Sequence, residues 1–479
     1  MVPIRQKWQN MSPTLKASAA YTACSIINKC LSLIMSPIFS NILTKEQYGE
    51  VTIYSTWMGI ITIFLTLNLY AGSFQTAMVK FEKNRDEYIS SVQGISIFLT
   101  VLFLAIYIPF RNLFNIVFDL PTGIMLIMIA NIFTDFTWSL WSGKQRFEFK
   151  YKAVVAVSLL NALISPIIAL IIVFNTEAKG YGRIVGFAVF TIIAGTGFFI
   201  LNNVRGKKLF DKTYWTYALA FNIPLIAYYL SQTIFNMSDR IMIEHMIGKD
   251  AAGEYGVAYN FAMILTFVLN AINNSYVPWF YGQLKEGKSE ENRKVSIAIA
   301  LLMGILLLGV IWFAPELILI WGQKYATAAP VVLPVAASLL LLFYSQLFIN
   351  VEFFYERKKE LVWASIGSAI VNIVLNFFLI PRFGIVAAGY TTFISYILFV
   401  FCNYLAMRKI LKEKDKKDDM YNYKILVILF VLFCIVAAAG ALLYSILWIR
   451  IVIAAVVLGI LVFKRNYFID MYKNIKGKK

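Results

Sequence analysis

A run of apolar residues near the N-terminus carries polar side chains at every third or fourth position. These side chains are Tyr21, Ser25, Lys29, Ser32 and Ser36. That spacing places them on one face of an α-helix. A lysine brings a point charge with three N–H donors, a chemistry suited to the oxygens of a phosphate group. We therefore interpret Lys29 as an anion contact on a polar helix face.

The same pattern recurs further along the chain. The polar residues concerned are Asn68 in the second apolar run, Gln232, Asn236 and Arg240 in the seventh, and Asn270, Asn273 and Asn274 in the eighth. Such side chains often form hydrogen bonds between packed membrane helices, which is the alternative for any one of them. Together, the four runs favour a water-filled cleft, and we predict that these residues and the three serines bind a polar substrate there.

Ionisable side chains inside apolar runs need a physical reason, because a charge near the centre of a bilayer costs about 2.5–3.5 kcal/mol. Asp135 is a candidate cation site. Asp135 is also the candidate partner of Lys29, which would make that lysine structural. Asp239 has Arg240 as a local alternative partner. Glu352, near the end of its apolar run, is expected to meet water.

Residues for other kinds of chemistry are scarce. The only histidine is His245, and the four cysteines lie in apolar runs without a CxxC pair. Histidine-based catalysis, metal sites and disulfides are therefore not expected. The formal net charge of +18 would suit nucleic acid, but the basic residues occur where membrane topology requires them, so no nucleic-acid partner is predicted.

The elements that must position these residues are membrane-spanning helices. The chain has 479 residues, of which 60% are hydrophobic and 15% charged, whereas soluble proteins are roughly 45–50% apolar and about 25% charged. The apolar residues occur in runs of about 20, the length with which a helix crosses a bilayer. Backbone groups in lipid must bond within their own segment, so these runs must be helices. The fourteen predicted spans are 18–40, 51–73, 89–109, 121–142, 153–174, 184–203, 215–238, 255–277, 295–314, 328–351, 361–380, 385–407, 425–446 and 448–463.

Lysine and arginine are distributed unevenly among the connections between these spans. If the N-terminus is cytoplasmic, most of the 44 Lys and Arg residues fall on the cytoplasmic side. This distribution predicts a multi-pass protein of the inner (cytoplasmic) membrane with both termini in the cytoplasm. The basic connection 408–424 is interpreted as a solvated linker that touches anionic lipid headgroups.

Reporter fusions should show this topology directly. Fusions after Lys212 and after Lys417 should read cytoplasmic, and fusions near Lys179 and Lys249 should read outside, because an odd number of predicted spans separates each of the first two positions from each of the last two. An outside reading at Lys212 would contradict the orientation and would leave an odd number of helices before that residue.

Two pairs of segments suggest an internal repeat. Residues 42–54 resemble residues 246–259, and residues 186–190 resemble residues 389–393 at nearly the same offset. Because an even number of helices per repeat preserves orientation, we predict two six-helix lobes related by a pseudo-two-fold axis along the membrane normal, with the cleft between them. The predicted domains are an N-lobe over 1–212, a C-lobe over 213–412, and a linker with two further helices and a basic tail over 413–479.

Several short motifs resemble those of a known family of membrane proteins. They are LTKEQYG at 43–49, SDRIMI at 238–243, GEYGVAY at 253–259, LIPRFGI at 379–385 and AAGYTT at 387–392, with Ser395 and Tyr396 following. Through them the chain is similar to the oligosaccharide-lipid flippases of the multidrug/oligosaccharidyl-lipid/polysaccharide (MOP) exporter superfamily. Members of this family are often called polysaccharide biosynthesis proteins.

The resemblance implies a transporter that moves undecaprenyl-diphosphate-linked oligosaccharide units to the outer leaflet by alternating access, for O-antigen of lipopolysaccharide, capsule or other exopolysaccharide. It implies coupling to an ion, H⁺ or Na⁺, rather than a bound cofactor, and Asp135 and Asp239 are the residues that this sequence offers for that role. The implied partners are the lipid-linked oligosaccharide, membrane lipids, a polysaccharide polymerase and chain-length proteins. Lys29 and Arg240 are the cations that this sequence offers to such a cavity.

Three other functions compete with this one. A multidrug cation antiporter of the same superfamily would want an acidic, aromatic cavity, and a central lysine argues against it. A lipid II flippase has the same fold and similar chemistry. A polysaccharide polymerase usually has a large outer loop and a membrane acyltransferase an intramembrane histidine, and this sequence offers neither. The sequence therefore favours a transporter over an enzyme.

Overall fold

The protein is helical throughout the part that the structure, a computed structural model, describes. The described residues are 13–287, 289–355, 357–414 and 420–463. The predicted basic tail after residue 463, the polar opening before residue 13 and residues 415–419 of the linker lie outside them. Every regular element within these ranges is a helix, so the prediction of an all-α fold is confirmed.

The chain divides into two compact units, residues 1–237 and 238–479. The helices of the first unit are α1 (Pro13–Ile42), α2 (Lys45–Thr66), α3 (Phe74–Lys80), α4 (Arg85–Tyr107), α5 (Arg111–Phe118), α6 (Thr122–Phe147), α7 (Tyr151–Phe174), α8 (Lys179–Gly206) and α9 (Lys212–Asn222). Helix α10 (Ile226–Met246) begins in this unit and ends in the second.

Helix α8 is the packing centre of the first unit, where it contacts α2, α4, α6 and α7. Glycines allow the close approach. A Cβ atom on Gly186 would lie 2.2 Å from the Cα of Ala169, and one on Gly195 would lie 2.3 Å from the carbonyl oxygen of Thr134. Small residues at such contacts let membrane helices pack backbone against backbone. Helix α1 packs mainly on α7.

Helix α2 has well-defined ends, and its C-terminus differs from the prediction. Thr44 and Gln47 form a capping box at its start. The helix ends at Thr66, and the next two residues, Leu67 and Asn68, both have φ of 48°. The Thr66 hydroxyl accepts a hydrogen bond from the Asn68 backbone N–H at 3.2 Å, which stabilises the turn. The predicted span 51–73 therefore stops short, and Asn68 lies in a left-handed turn rather than on a helix face.

The second unit contains the remaining helices. They are α11 (Lys249–Ala262), α12 (Thr266–Glu286), α13 (Ser289–Trp312), α14 (Ala314–Ile318), α15 (Ala329–Phe354), α16 (Lys358–Glu413), α17 (Tyr423–Leu442) and α18 (Leu447–Phe463). Helix α15 lies at the centre, where it contacts α11, α12, α13, α14, α16 and α17. Helix α16 is broken at Gly384, whose φ of 66° favours glycine and separates the predicted spans 361–380 and 385–407.

Eleven helical segments within the described ranges are long and apolar enough to cross a membrane. One of them, Lys359–Glu413, contains both predicted spans on either side of Gly384. Helices α2 and α18 also coincide with predicted spans but are not among the eleven. A multi-pass membrane protein is thereby supported, and the count of fourteen crossings stays a prediction.

One arginine joins the helix α18 to residues earlier in the second unit. Arg450, in the first turn of α18, is 1% exposed. Its guanidinium donates to both carboxylate oxygens of Glu316 at 2.8 and 2.5 Å, to the Tyr444 carbonyl at 2.9 Å and to the Trp312 carbonyl. Glu316 retains 34% side-chain exposure. The arginine thus ties α18 to the last residue of α13 and to α14.

Candidate functional site

The first unit contains a polar cavity of about 390 Å³. Its walls come chiefly from α1, α6 and α7, with one residue from the turn after α2. The lining residues are Asn28, Tyr70, Asp135, Trp138, Ser139, Ser142, Arg146, Ser158, Asn161 and Ala162.

One stripe of helix α6 supplies most of the polar wall. Asp135, Ser139, Ser142 and Arg146 are spaced by four, three and four residues, which aligns them along one face. Aromatic packing steadies the neighbouring face, because the rings of Trp141 and the α8 residue Phe198 stack at 4.0 Å. The stripe is therefore held on a rigid helix.

The two charges of this cavity lie at opposite ends of the stripe. Eleven residues of helix separate Asp135 from Arg146, a distance of about 16 Å along the axis. Both side chains are exposed, and neither forms an ion pair with any residue that the structure describes. The Arg146 guanidinium lies 5.4 Å from the ring of Tyr21. Asp135 and Arg146 therefore do not neutralise each other. A ligand that has an ionic part and a separate neutral polar part can contact both ends of the cavity.

Uncharged hydrogen-bonding groups fill the space between these charges. Asn161 accepts a hydrogen bond from Ser165 at 2.6 Å, which orients its amide. Serine hydroxyls, which both donate and accept, stand along the α6 stripe and on α7. This combination suits the hydroxyl groups of a sugar together with one anionic group.

Helix α1 has three different faces, and Lys29 lies on the polar one. Cys24 and Phe39 are buried on the face that packs against the rest of the unit. Ile26 and Ile34, each 58% exposed, mark an apolar face suited to lipid. Lys29 is exposed and forms no ion pair or hydrogen bond within the described part of the chain, so the alternative of a pair with Asp135 is absent here.

The other predicted residues of the first unit are distributed as follows. Ser25 and Ser32 are exposed beside Lys29, and Ser36 is half-buried. Gln232 and Asn236 on α10 are half-buried, and the Asn236 amide donates to the Gln232 carbonyl at 2.7 Å. Of the predicted site residues, only Asp135 is among the described residues that line the polar cavity. The residue of α1 in the cavity wall is Asn28 and not Lys29.

In the second unit, Asp239 and Arg240 lie in the packed interior. They are 2% and 9% exposed. The Tyr255 hydroxyl and the Arg240 backbone N–H donate to the Asp239 carboxylate, and the Arg240 guanidinium lies 4.4 Å from the ring of Tyr259. The GEYGVAY motif supplies both tyrosines, which cover these charges instead of leaving them on an open helix face.

The three predicted asparagines of α12 differ in their surroundings. Asn270 and Asn274 are exposed. Asn273 is half-buried, and its amide donates to the side-chain oxygen of Gln346 on α15. Asn273 thus joins two helices, as the alternative interpretation of these residues expects.

Sequence reasoning missed Arg146, Ser139, Ser142 and Asn161. The signal available for the first three was the spacing from Asp135. The predicted span 121–142 leaves Arg146 in the connection that follows it, on the cytoplasmic side. In the structure α6 continues to Phe147 and so includes Arg146.

The second unit has an apolar groove of about 680 Å³ between α15, α16 and α17. Aromatic side chains, including Phe348, Tyr404 and Phe430, form much of its wall. Lys424 lies in the groove lining, and the Arg408 guanidinium stands 5.6 Å from the ring of Tyr423, also a lining residue. The groove can hold a hydrocarbon chain with cationic groups beside it.

Comparison with known proteins gives consistent results. Residues 14–282 match the family model described as polysaccharide biosynthesis protein, and residues 224–378 match MatE. The Lsg locus putative protein 1 of Haemophilus influenzae is 22% identical over 383 residues, which cover 75% of this chain and 89% of that protein.

Two solved structures show the same fold. An inward-facing multidrug resistance MATE family transporter of the MOP superfamily has a TM-score of 0.65 at 14% identity, covering 82% of this chain and 96% of its own. The lipid II flippase MurJ, in an inward closed conformation, has a TM-score of 0.63 at 14% identity, covering 90% and 99%. The predicted MOP-superfamily fold is thereby confirmed.

Proposed function

Because the chain belongs to the polysaccharide biosynthesis protein family, we propose that it is a flippase for an undecaprenyl-diphosphate-linked oligosaccharide. It carries the oligosaccharide head group from the cytoplasmic to the outer leaflet of the inner membrane by alternating access. Both termini are cytoplasmic in this proposal. A polysaccharide polymerase and chain-length proteins use the exported units for O-antigen, capsule or another exopolysaccharide.

The polar cavity of the first unit is the observation that carries the proposal. Its serine hydroxyls and amides match sugar hydroxyls, and Arg146 offers two parallel N–H groups of the kind that bind phosphate oxygens. A multidrug cation site would not need an exposed arginine at one end. The apolar groove of the second unit adds a surface that suits the hydrocarbon part of a lipid-linked molecule.

The membrane potential favours this direction of transport. A diphosphate carries roughly two negative charges, and the cytoplasm is electrically negative. Outward movement gains about 2.3 kcal/mol per charge per 100 mV. A flippase of this substrate therefore runs outward unless co-transported cations cancel the charge.

Replacement of Arg146 by alanine should lower oligosaccharide flipping by at least about tenfold, because a hydrogen bond to a charged group contributes about 1.5–3 kcal/mol. Arg146→Lys should keep part of the rate. The assay is protection of a labelled undecaprenyl-diphosphate oligosaccharide in proteoliposomes, with lipid II tested in parallel.

The matched control is Arg205→Ala, since Arg205 is an exposed arginine in the last turn of α8, outside the cavity. It should flip the substrate at the normal rate. If Arg146→Ala flips the substrate at the same rate as the native protein, the cavity does not take part in the mechanism. If the protein flips lipid II but not the oligosaccharide, the proposed substrate is wrong and lipid II takes its place.

A further inference from the structure

The second unit buries a carboxyl group that has no hydrogen-bond partner among the described residues. Glu352, two residues before the end of α15, is 1% exposed. Neither of its carboxylate oxygens is hydrogen-bonded within the described part of the chain. This differs from the expectation that Glu352 meets water, because α15 packs against six other helices of its unit.

The charged groups around Glu352 do not compensate it. Glu360 at the start of α16 is the ionisable group whose field reaches it, and that field has the same sign. Arg357, the cation in the link between the two helices, contacts Glu360 at 3.0 Å and Glu413 at 3.2 Å. The positive charge of Lys409 also acts electrostatically on Glu360. Arg357 is therefore engaged with other carboxylates, and among the described residues no cation acts on Glu352.

An ionised carboxylate in such a place is strongly disfavoured. Burial of a charge without a partner costs several kcal/mol, and groups in proteins avoid that cost by taking up a proton. A metal ion is a poor substitute, because it needs several oxygen ligands. No group of three His, Cys, Asp or Glu side chains suited to a metal occurs among the described residues. The occupant that fits Glu352 is a proton.

We propose that Glu352 is the proton-binding site that couples transport to the pH gradient. Glu352 lies in the last turn of α15, which ends at Phe354. Opening of this end of α15 to water lets the carboxylic acid release its proton to solvent, which leaves a hydrated carboxylate. Closing requires a proton to be taken up again. The coupling role rests on the proposed transport function, whereas the protonated state does not.

The first experiment measures that protonated state on the purified full-length protein by infrared spectroscopy. The carbonyl stretch of a protonated, buried carboxyl should be present at neutral pH, and Glu352→Gln should remove it. Glu360→Gln is the matched control, since Glu360 is held ionised by Arg357, and it should leave the band in place. An unchanged spectrum in Glu352→Gln would overturn the proposal whatever the protein transports.

Folding of the variant can be checked separately. Glu352→Leu places an apolar side chain in an enclosed site and should melt at the same temperature as the native protein or higher. A large drop in the melting temperature of both variants would show that Glu352 has a partner, and would contradict the proposal.

The second experiment measures coupling in proteoliposomes with imposed pH or sodium gradients. One coupled proton allows up to about a tenfold change in accumulation ratio per pH unit. The native protein should respond to the pH gradient, and Glu352→Gln should transport without responding. A normal pH response of the variant, or a native response to sodium alone, would overturn the proposal. If the oligosaccharide is not moved at all but the infrared band behaves as expected, the proposed function fails and the proton site remains.

Discussion

Substitution of Lys29 by alanine should lower polymer export by about ten- to a hundredfold while the protein accumulates normally in the membrane. Lys29 is exposed on the polar face of α1 and has no ion pair within the described residues, so its removal leaves no carboxylate unpaired. A charge-assisted contact to a phosphate contributes about 1.5–3 kcal/mol, which corresponds to that range of rates. Export of surface polymer and the amount of membrane protein are the two measurements.

Three variants control this result. Lys29→Arg keeps the charge and should retain part of the export. Lys152→Ala removes another exposed lysine, in the first turn of α7, and should have no effect. Combining Lys29→Ala with Asp135→Asn should not rescue export. Rescue in the double variant, or normal export with Lys29→Ala alone, would show that the lysine is not a substrate contact.

Loss of Glu316 should destabilise the protein more than loss of its partner Arg450. Arg450 is 1% exposed, so Glu316→Ala leaves a buried guanidinium uncompensated, which costs about 3–5 kcal/mol. Arg450→Ala leaves a carboxylate that is one-third exposed and can be rehydrated, so we expect the smaller cost of its hydrogen bonds, about 1.5–3 kcal/mol. Chemical unfolding of the protein in detergent measures both values.

A double variant and a pH series sharpen the test. Glu316→Ala with Arg450→Met removes both charges and should recover most of the stability. Arg450 lowers the pKa of Glu316, so the ion pair contributes fully above about pH 4.3, the usual value for glutamate. That contribution is lost as the pH falls through the lowered pKa, and the native protein should then approach Glu316→Ala in stability. Equal costs for the two single variants would contradict the asymmetry.

The helical fold follows from sequence because apolar runs of membrane length leave the backbone few choices. The places where the helices differ from the predicted spans depend on local backbone conformations, which hydropathy does not detect. The left-handed pair Leu67–Asn68 ends α2 within an apolar run, and Gly384 breaks α16 where the hydropathy continues. Both features depend on single φ values, which an average over about 20 residues cannot detect.

The site was only partly predictable for a different reason. Asp135 was found because a charge in an apolar run stands out. Asn161 and Ser139 are ordinary residues for a membrane helix, and they become a site only because α6 and α7 face one cavity. Asp239 stands out in the same way, but its burial was not visible in the sequence, since Tyr255, which donates a hydrogen bond to it, comes from another helix. In each case the residues that become neighbours in the folded protein decide whether a polar side chain lines a cavity or is buried.

The position of Arg450 also orders the biosynthesis of the protein. The ribosome makes Glu316 134 residues before Arg450, so the carboxylate has no contact with this guanidinium until α18 has been made. An arginine near a helix end can keep its guanidinium at the membrane surface. Arg450 instead lies buried among Glu316 and the carbonyl groups of Trp312 and Tyr444. It can take that place only when the end of α13 and α14 are already in position, so its burial depends on the order in which these segments fold.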